Sequence, residues 1–126
     1  MIEDNADDAV LIQRELRRSG YDVAYERVDN AVGLTAALAK GPWDVVFADH
    51  SMPEFAAPVA LQMVRTREPD VPFIIVSGTM GEEAAVAAMH TGANDYFVKG
   101  RLGRLGAALE RELRQARARR THHALE

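Results

Sequence analysis

Three short apolar runs, Asp44-Val45-Val46-Phe47-Ala48-Asp49, Pro72-Phe73-Ile74-Ile75-Val76-Ser77 and Tyr96-Phe97-Val98-Lys99, alternate with segments of helical period. That alternation constrains the fold more than any other feature. Each run has the length and the β-branched or aromatic content of a strand buried on both faces, as in a parallel sheet. Between the runs, apolar residues fall at helical spacing: Ala9, Ile12 and Leu16 before Gly20; Leu34, Ala37 and Leu38 before Gly41; Val59, Met63 and Val64 before Pro69; Val86 and Met89 before Gly92. Start signals accompany them, with Asn30 as an N-cap, Pro58 suited to a first turn, and Thr79-Met80-Gly81-Glu82 matching a capping box. A further strand is expected near residues 23–28, and a first one is reduced to Met1-Ile2. Strand and helix alternating through short loops imply right-handed crossovers, so the expected fold is α/β: a doubly wound, five-stranded parallel sheet with helices on both faces.

The 126 residues fit one domain, which buries roughly two thirds of the surface its unfolded chain exposes. Without cysteine there are no disulfides and no thiolate metal sites, which suits a reducing cytoplasm. The start has no basic signal-like region, and no apolar run approaches the ~20 residues of a membrane span. A cytoplasmic protein without membrane attachment is expected. Charge is unevenly placed: residues 1–98 carry 7 basic and 16 acidic side chains, whereas residues 99–126 carry 8 and 3. An acidic body with a basic tail argues against direct nucleic-acid binding, which needs a basic face on the folded body.

In an open parallel sheet, ligands bind outside the carboxyl ends of the strands. Glu3 and Asp4 follow the first strand, Asp49 ends the third, Ser77 ends the fourth and Lys99 ends the fifth. Carboxylates crowded at one edge repel, and a hard divalent cation relieves that repulsion. Mg²⁺ favours oxygen ligands and keeps waters that a phosphate-bearing substrate can replace. Lys99 then neutralises phosphoryl oxygens that the metal does not reach, Ser77 donates to another oxygen, and Asp49 is the candidate nucleophile for an aspartyl-phosphate.

Four stretches carry a resemblance: Ile2-Glu3-Asp4-Asn5, Val45-Val46-Phe47-Ala48-Asp49 with Met52-Pro53, Ile74-Ile75-Val76-Ser77-Gly78, and Gly92-Ala93-Asn94-Asp95-Tyr96-Phe97-Val98-Lys99. In that order, at those strand ends, the chain resembles the receiver domains of two-component response regulators, from residue 1 to about residue 113. The resemblance implies a flavodoxin-like strand order 2-1-3-4-5 and a phosphoryl group accepted on Asp49 with Mg²⁺. It implies that Asp4 ligates the metal directly and Glu3 through water, while Asp49 is ligand and phosphoacceptor together. The Ser51 backbone carbonyl completes the implied metal set. Ser77 and Tyr96 would form a switch pair that remodels the face of the fourth helix, the last strand and the last helix. The implied donor is a histidine kinase or a histidine phosphotransfer protein.

The chain departs from the family pattern in three places. Glu3 stands where Asp is commoner. Gly100 follows Lys99 where Pro is common, and a cis bond to a non-proline residue costs about 2.5–4 kcal/mol, so a trans bond is expected. Only Met1-Ile2 precede the acidic pair, so the first strand looks truncated. Plainer readings stand beside the functional ones: Asp49 as a loop carboxylate, Glu3 and Asp4 as solvated, Ser77 as a turn residue, Tyr96 as core with its hydroxyl at the rim. His50 is a bystander or access modulator, and Trp43 and Phe55 are packing. His122 and His123 are a tail pair without further ligands.

After Leu102, Leu105, Leu109 and Leu113, which form one apolar stripe, residues 114–126 hold nothing large to bury. They are expected to add little to stability and to form a helical extension, leading to an output or sensor module or pairing in a homodimer. Rival functions are a degenerate receiver acting as a protein-interaction scaffold, a flavodoxin-like binding module, and a phosphatase. The binding module lacks a glycine-rich phosphate loop after the first strand. The phosphatase generally needs a second Asp two residues after the nucleophile, where Ser51 stands.

Overall fold

The computed structural model describes residues 1–49, 55–78 and 82–125. Among these, helices α1 (Ala6–Arg18), α2 (Ala31–Lys40), α3 (Ala57–Arg67), α4 (Glu82–His90) and α5 (Leu105–Leu125) alternate with strands β1 (Val46–Asp49), β2 (Phe73–Ser77) and β3 (Asp95–Val98). The strands pair in parallel in the order β1-β2-β3, with Asp49 opposite Val76 and Ser77 opposite Val98. The two further strands expected at Met1-Ile2 and residues 23–28 are not ladders. Ile2 alone bridges Val28 on one side and Ala48 on the other, both in parallel. The Ile2 N–H donates to the Phe47 carbonyl at 2.7 Å, the Asp49 N–H to the Ile2 carbonyl at 2.8 Å and the Glu3 N–H to the Val28 carbonyl at 2.9 Å. The order of neighbours accords with the expected one, but among the described residues three strands form the ladder and the other two are represented only by single bridges on the β1 side.

Because side chains alternate across a strand, the apolar runs feed two separate cores. Val46, Ala48, Phe73 and Ile75 pack with Ile2, with Leu34 and Leu38 of α2, and with Ala57, Ala60, Leu61 and Val64 of α3. Phe47, Ile74 and Val76 pack on the opposite face with Ile12 and Leu16 of α1 and with Leu102, Leu105 and Leu109. Helices thus cover both faces, as the double winding requires. Each large buried side chain contributes about 1.5–3 kcal/mol relative to exposure.

Local signals fix the helix starts. Asn5 Oδ1 accepts from the Asp7 N–H at 2.9 Å and the Asp8 N–H at 3.3 Å, capping α1. The Gly33 N–H donates to Asn30 Oδ1 at 2.7 Å, so Asn30 caps α2 as expected. Pro58 lies in the first turn of α3. The capping-box residues Thr79, Met80 and Gly81 lie outside the described residues. Trp43 packs against the first core and donates from Nε1 to the Ala37 carbonyl at 2.8 Å, while Phe55 is buried in it.

The apolar phase of two helices differs from expectation. α3 buries Ala57, Ala60, Leu61 and Val64, leaving Val59 exposed and Met63 partly so. Small alanines let that face approach the sheet, and Val59 and Met63 instead line a surface groove with Leu38 of α2. Val86 and Met89 of α4 are also exposed rather than turned to the core.

α5 carries the expected stripe, with Leu102, Leu105 and Leu109 in the core and Leu113 against it. The helix does not become idle afterwards. Ala116 is fully buried, Arg119 donates to the Asp70 carbonyl at 2.8 Å, and His123 Nδ1 lies 2.9 Å from the Asp70 carboxylate. The segment past about residue 115, expected to add little to stability, thus makes contacts to the body, and His123, expected as one of a tail pair without further ligands, meets Asp70. Alanine is small enough to bury without a visible apolar signature, and Asp70 is a contact 49 residues away from Arg119.

Gly106 sets the approach of α5 to the end of α1. A Cβ there would stand 2.2 Å from Ser19 Oγ and 2.6 Å from Ser19 Cβ. Gly106→Ala gains about 1 kcal/mol of helix propensity, but the overlap reaches the Ser19 Cβ and demands a backbone shift. We expect a net loss of roughly 1–3 kcal/mol in urea unfolding. A variant as stable as the parent would show that the two helices have room to separate.

Candidate functional site

The carboxyl ends of the strands bring together the charged residues expected there. Glu3 follows the Ile2 bridge and is fixed at the backbone, since Arg27 Nη1 donates to its carbonyl at 3.1 Å. Its buried carboxylate accepts from the Asn5 N–H at 3.2 Å. Asp49 ends β1 and is buried, whereas Asp4 is exposed. Glu3, Asp4 and Asp49 each offer a carboxylate oxygen, and the three oxygens lie within 4.8 Å of one another.

Lys99 reaches into this cluster from the end of β3, where its N–H donates to the Ser77 carbonyl at 2.8 Å. Its Nζ is 3.2 Å from Glu3 Oε2 and 3.5 Å from Asp49 Oδ2. The shortest contact is to a residue the sequence did not single out: Asp8 Oδ2, at 2.7 Å. Asp8 lies in the first turn of α1, where an acid is sufficiently explained by the helix dipole. The one signal available was its place one helical turn after Asp4, on the helix that starts at the acidic pair.

The electrostatics follow from this crowding. Burial, and then the charge of Asp49, push the Glu3 carboxyl above its ordinary range, with Lys99 and the Asn5 N–H opposing. Burial by itself would lower the Lys99 ammonium. Hydrogen bonds to Asp8 and Glu3, with the charges of Asp49 and Glu3, outweigh it and hold the group above its ordinary value. Lys99 therefore stays charged, and a further cation beside Glu3 would oppose the burial and the Asp49 charge that raise its carboxyl.

Glu3, Asp4 and Asp49 fit Mg²⁺ by their chemistry: three hard oxygen donors close enough to share one ion, with Asp4 open to solvent so that waters can stay bound. Ser51, whose carbonyl was expected in the metal set, lies outside the described residues, as do His50, Met52 and Pro53. Ser77 is buried at the last position of β2, one residue past the partner of Asp49, and so belongs to the same edge. Tyr96 is set back within β3, opposite Ile75, and packs partly buried against the first core. Lys99 is the expected cation, and Asp8 is the addition.

Comparison with known proteins agrees with this layout. The model of the response regulator receiver domain matches residues 1–110. Over 99 residues the chain is 32% identical to the transcriptional regulatory protein PrrA of Mycobacterium tuberculosis, covering 79% of this chain and 42% of that protein. It is 32% identical over 97 residues to the DNA-binding transcriptional regulator NtrC of Rhizobium meliloti, covering 77% of this chain and 20% of that one. The chain thus spans less than half the length of these relatives. Among solved structures, the receiver domain of NtrX from Brucella abortus superposes with a TM-score of 0.77 at 25% identity, covering 90% of this chain and 95% of that one. With the match extending over nearly the whole chain, and the acidic cluster, Ser77 and Lys99 at the strand ends, the chain belongs to the response regulator receiver domain family.

Proposed function

We propose that this domain is a phosphorylation-driven signalling receiver that accepts one phosphoryl group on Asp49 with Mg²⁺. The observation that carries the reading is the pairing of a buried, strand-terminal Asp49 with carboxylates of Glu3 and Asp4 on one side and the Lys99 ammonium on the other. An Asp49 oxygen attacks the phosphorus of the donor. With a phosphohistidine of a histidine kinase or phosphotransfer protein, the P–N bond breaks and the imidazole leaves with the electron pair and takes up a proton. Bound Mg²⁺ would supply charge neutralisation of the phosphoryl oxygens, held by Asp4 and Asp49 and by Glu3 through water. Lys99 neutralises the remaining oxygen charge, and Ser77 donates to a further oxygen. Asp49→phosphoryl strain is relayed through Ser77 and Tyr96 to the face of α4, β3 and α5.

On this reading the protein catalyses only its own phosphorylation and dephosphorylation, in the cytoplasm. No described helix is long and apolar enough to cross a membrane. Relatives named as transcriptional regulators are more than twice as long as the matched region. That supports a covalently linked output or sensor module in the whole protein, with this domain making no direct nucleic-acid contact. α5 would connect to that module or pair in a homodimer.

Intact mass after incubation with acetyl phosphate and Mg²⁺ tests the reading. One added phosphoryl group is expected in the parent and none in Asp49→Asn or in the presence of EDTA. No addition in the parent, or addition that persists in Asp49→Asn, would leave an interaction scaffold as the better description.

A further inference from the structure

Lys99 is bound most closely by a carboxylate that stands outside the cation-binding set. Its Nζ lies 2.7 Å from Asp8 Oδ2, against 3.2 Å for Glu3 and 3.5 Å for Asp49. Both ends of the Asp8–Lys99 pair are held by backbone. Asp8 is fixed in the first turn of α1 by its N–H to Asn5 Oδ1, and Lys99 by its N–H to the Ser77 carbonyl. Neither residue can follow the other far. The lysine side chain is only 14% exposed and Asp8 is 28% exposed, so water screens the contact incompletely.

A phosphoryl group on Asp49 brings a further charge of about −1.5 to −2 and three acceptor oxygens. It would occupy the space directly beside the ammonium, which already lies 3.5 Å from an Asp49 oxygen. To meet those oxygens Nζ must swing from α1 toward β1, and the contact with Asp8 lengthens. When a divalent cation neutralises Glu3 and Asp49, their hold on Lys99 weakens, but Asp8 is not among the clustered oxygens and keeps its charge for the lysine.

Resting on the phosphoacceptor reading of the site, we propose that Asp8 is a positioning residue that competes with the phosphoryl group for the Lys99 ammonium. It parks the lysine beside Asp49 in the resting state and sets how firmly the phosphorylated state is held. The pair is an internal counterweight: the stronger the Asp8 contact, the smaller the net attraction of Lys99 for a phosphoryl group.

The test is an amide NMR titration with beryllium trifluoride, a non-covalent phosphoryl mimic, at saturating Mg²⁺. Asp8→Asn keeps the shape and removes the charge, and should tighten beryllium trifluoride binding roughly three- to fivefold, the upper part of the range in which one partly exposed ion pair acts. Asp8→Ala should do the same, which guards against an effect peculiar to asparagine. Asp8→Glu restores the charge and should bind within about twofold of the parent. Equal or weaker binding in both neutral variants would overturn the proposal, and so would Asp8→Glu binding as tightly as Asp8→Asn, because charge would then not be the cause. A parent that binds no beryllium trifluoride would overturn the phosphoacceptor reading itself, and this proposal with it. Parent binding with Asp8 variants unchanged would overturn the Asp8 role alone.

Discussion

Lys99→Ala should slow acetyl-phosphate labelling of Asp49 by roughly 100- to 1000-fold, the usual effect of removing a charge-stabilising donor from a reacting centre. Mg²⁺ should still bind, at least as tightly as in the parent. The two effects should separate because, on the proposed reading, the ammonium and the cation serve different oxygens. Glu3, Asp4 and Asp49 are the clustered donors, and Lys99 repels a second cation placed among them. Removing it takes away an ammonium that stands 3.2 Å from Glu3 and 3.5 Å from Asp49, so their demand for Mg²⁺ should rise. Labelling rates by intact mass and Mg²⁺ affinity by amide titration check the two halves independently. Loss of metal binding together with labelling would mean that Lys99 organises the carboxylates instead of acting on the phosphoryl oxygens.

Deleting residues 116–126 should lower the melting temperature by roughly 8–12 °C, because about 2–3 kcal/mol of contacts leave with them at about 4 °C per kcal/mol. The contacts are few but well placed. Ala116 is fully buried against the body, and Arg119 gives a charged hydrogen bond to the carbonyl of the buried Asp70. The His123 contact to the Asp70 carboxylate adds less, since half of the imidazole is exposed. Asp70 itself lies at the turn into β2, next to Val71, whose carbonyl accepts from Arg65 Nη1. Arg65 Nη2 in turn donates to Asn94 Oδ1, at 2.5 Å, and Asn94 Oδ1 accepts from the Phe73 N–H at 2.8 Å. The end of α5 therefore closes a polar network at the edge where β2 and β3 begin. Differential scanning calorimetry of the truncated chain decides the matter, and a shift below ~2 °C would return these residues to the role of a free connector.

Much of the fold was legible because its strongest determinants are local. Ile74, Ile75 and Val76 can only be a strand buried on both faces, and the stripe Leu102, Leu105, Leu109 is continuous. Asn30 announces its cap by its place before a helical segment. The failures have a common cause in geometry that spacing does not carry. Ala57 and Ala60 are the residues that let α3 close on the sheet, yet an alanine has no hydropathy strong enough to outvote Val59 and Met63. Residues 23–28 show the limit in a different way, since a single bridge from Val28 to Ile2 stands where the pattern leads one to expect a strand. At the site, residues that end strands were placed by topology alone, which is why Glu3, Asp49, Ser77 and Lys99 could be assigned. Asp8 could not, because it arrives from a helix turn, and an acid there already has a sufficient local explanation. Arg119 and Asp70 meet only through the fold.

The bridge at Ile2 gives the acidic pair an unusual thermodynamic position. Glu3 and Asp4 follow a short tied segment: the Ile2 N–H and carbonyl bond to Phe47 and Asp49, the Glu3 N–H donates to the Val28 carbonyl, and the Met1 carbonyl accepts from the Val28 N–H. Undocking that short segment would carry away two of the three clustered carboxylates at once. A cation that prefers all three together would bind only the docked form, so occupancy and docking would be linked, with a stabilisation that grows as the logarithm of the cation concentration above its dissociation constant. Slower amide exchange at Ile2 and Glu3 on adding Mg²⁺, with little change in the centre of β2, is the form this linkage takes.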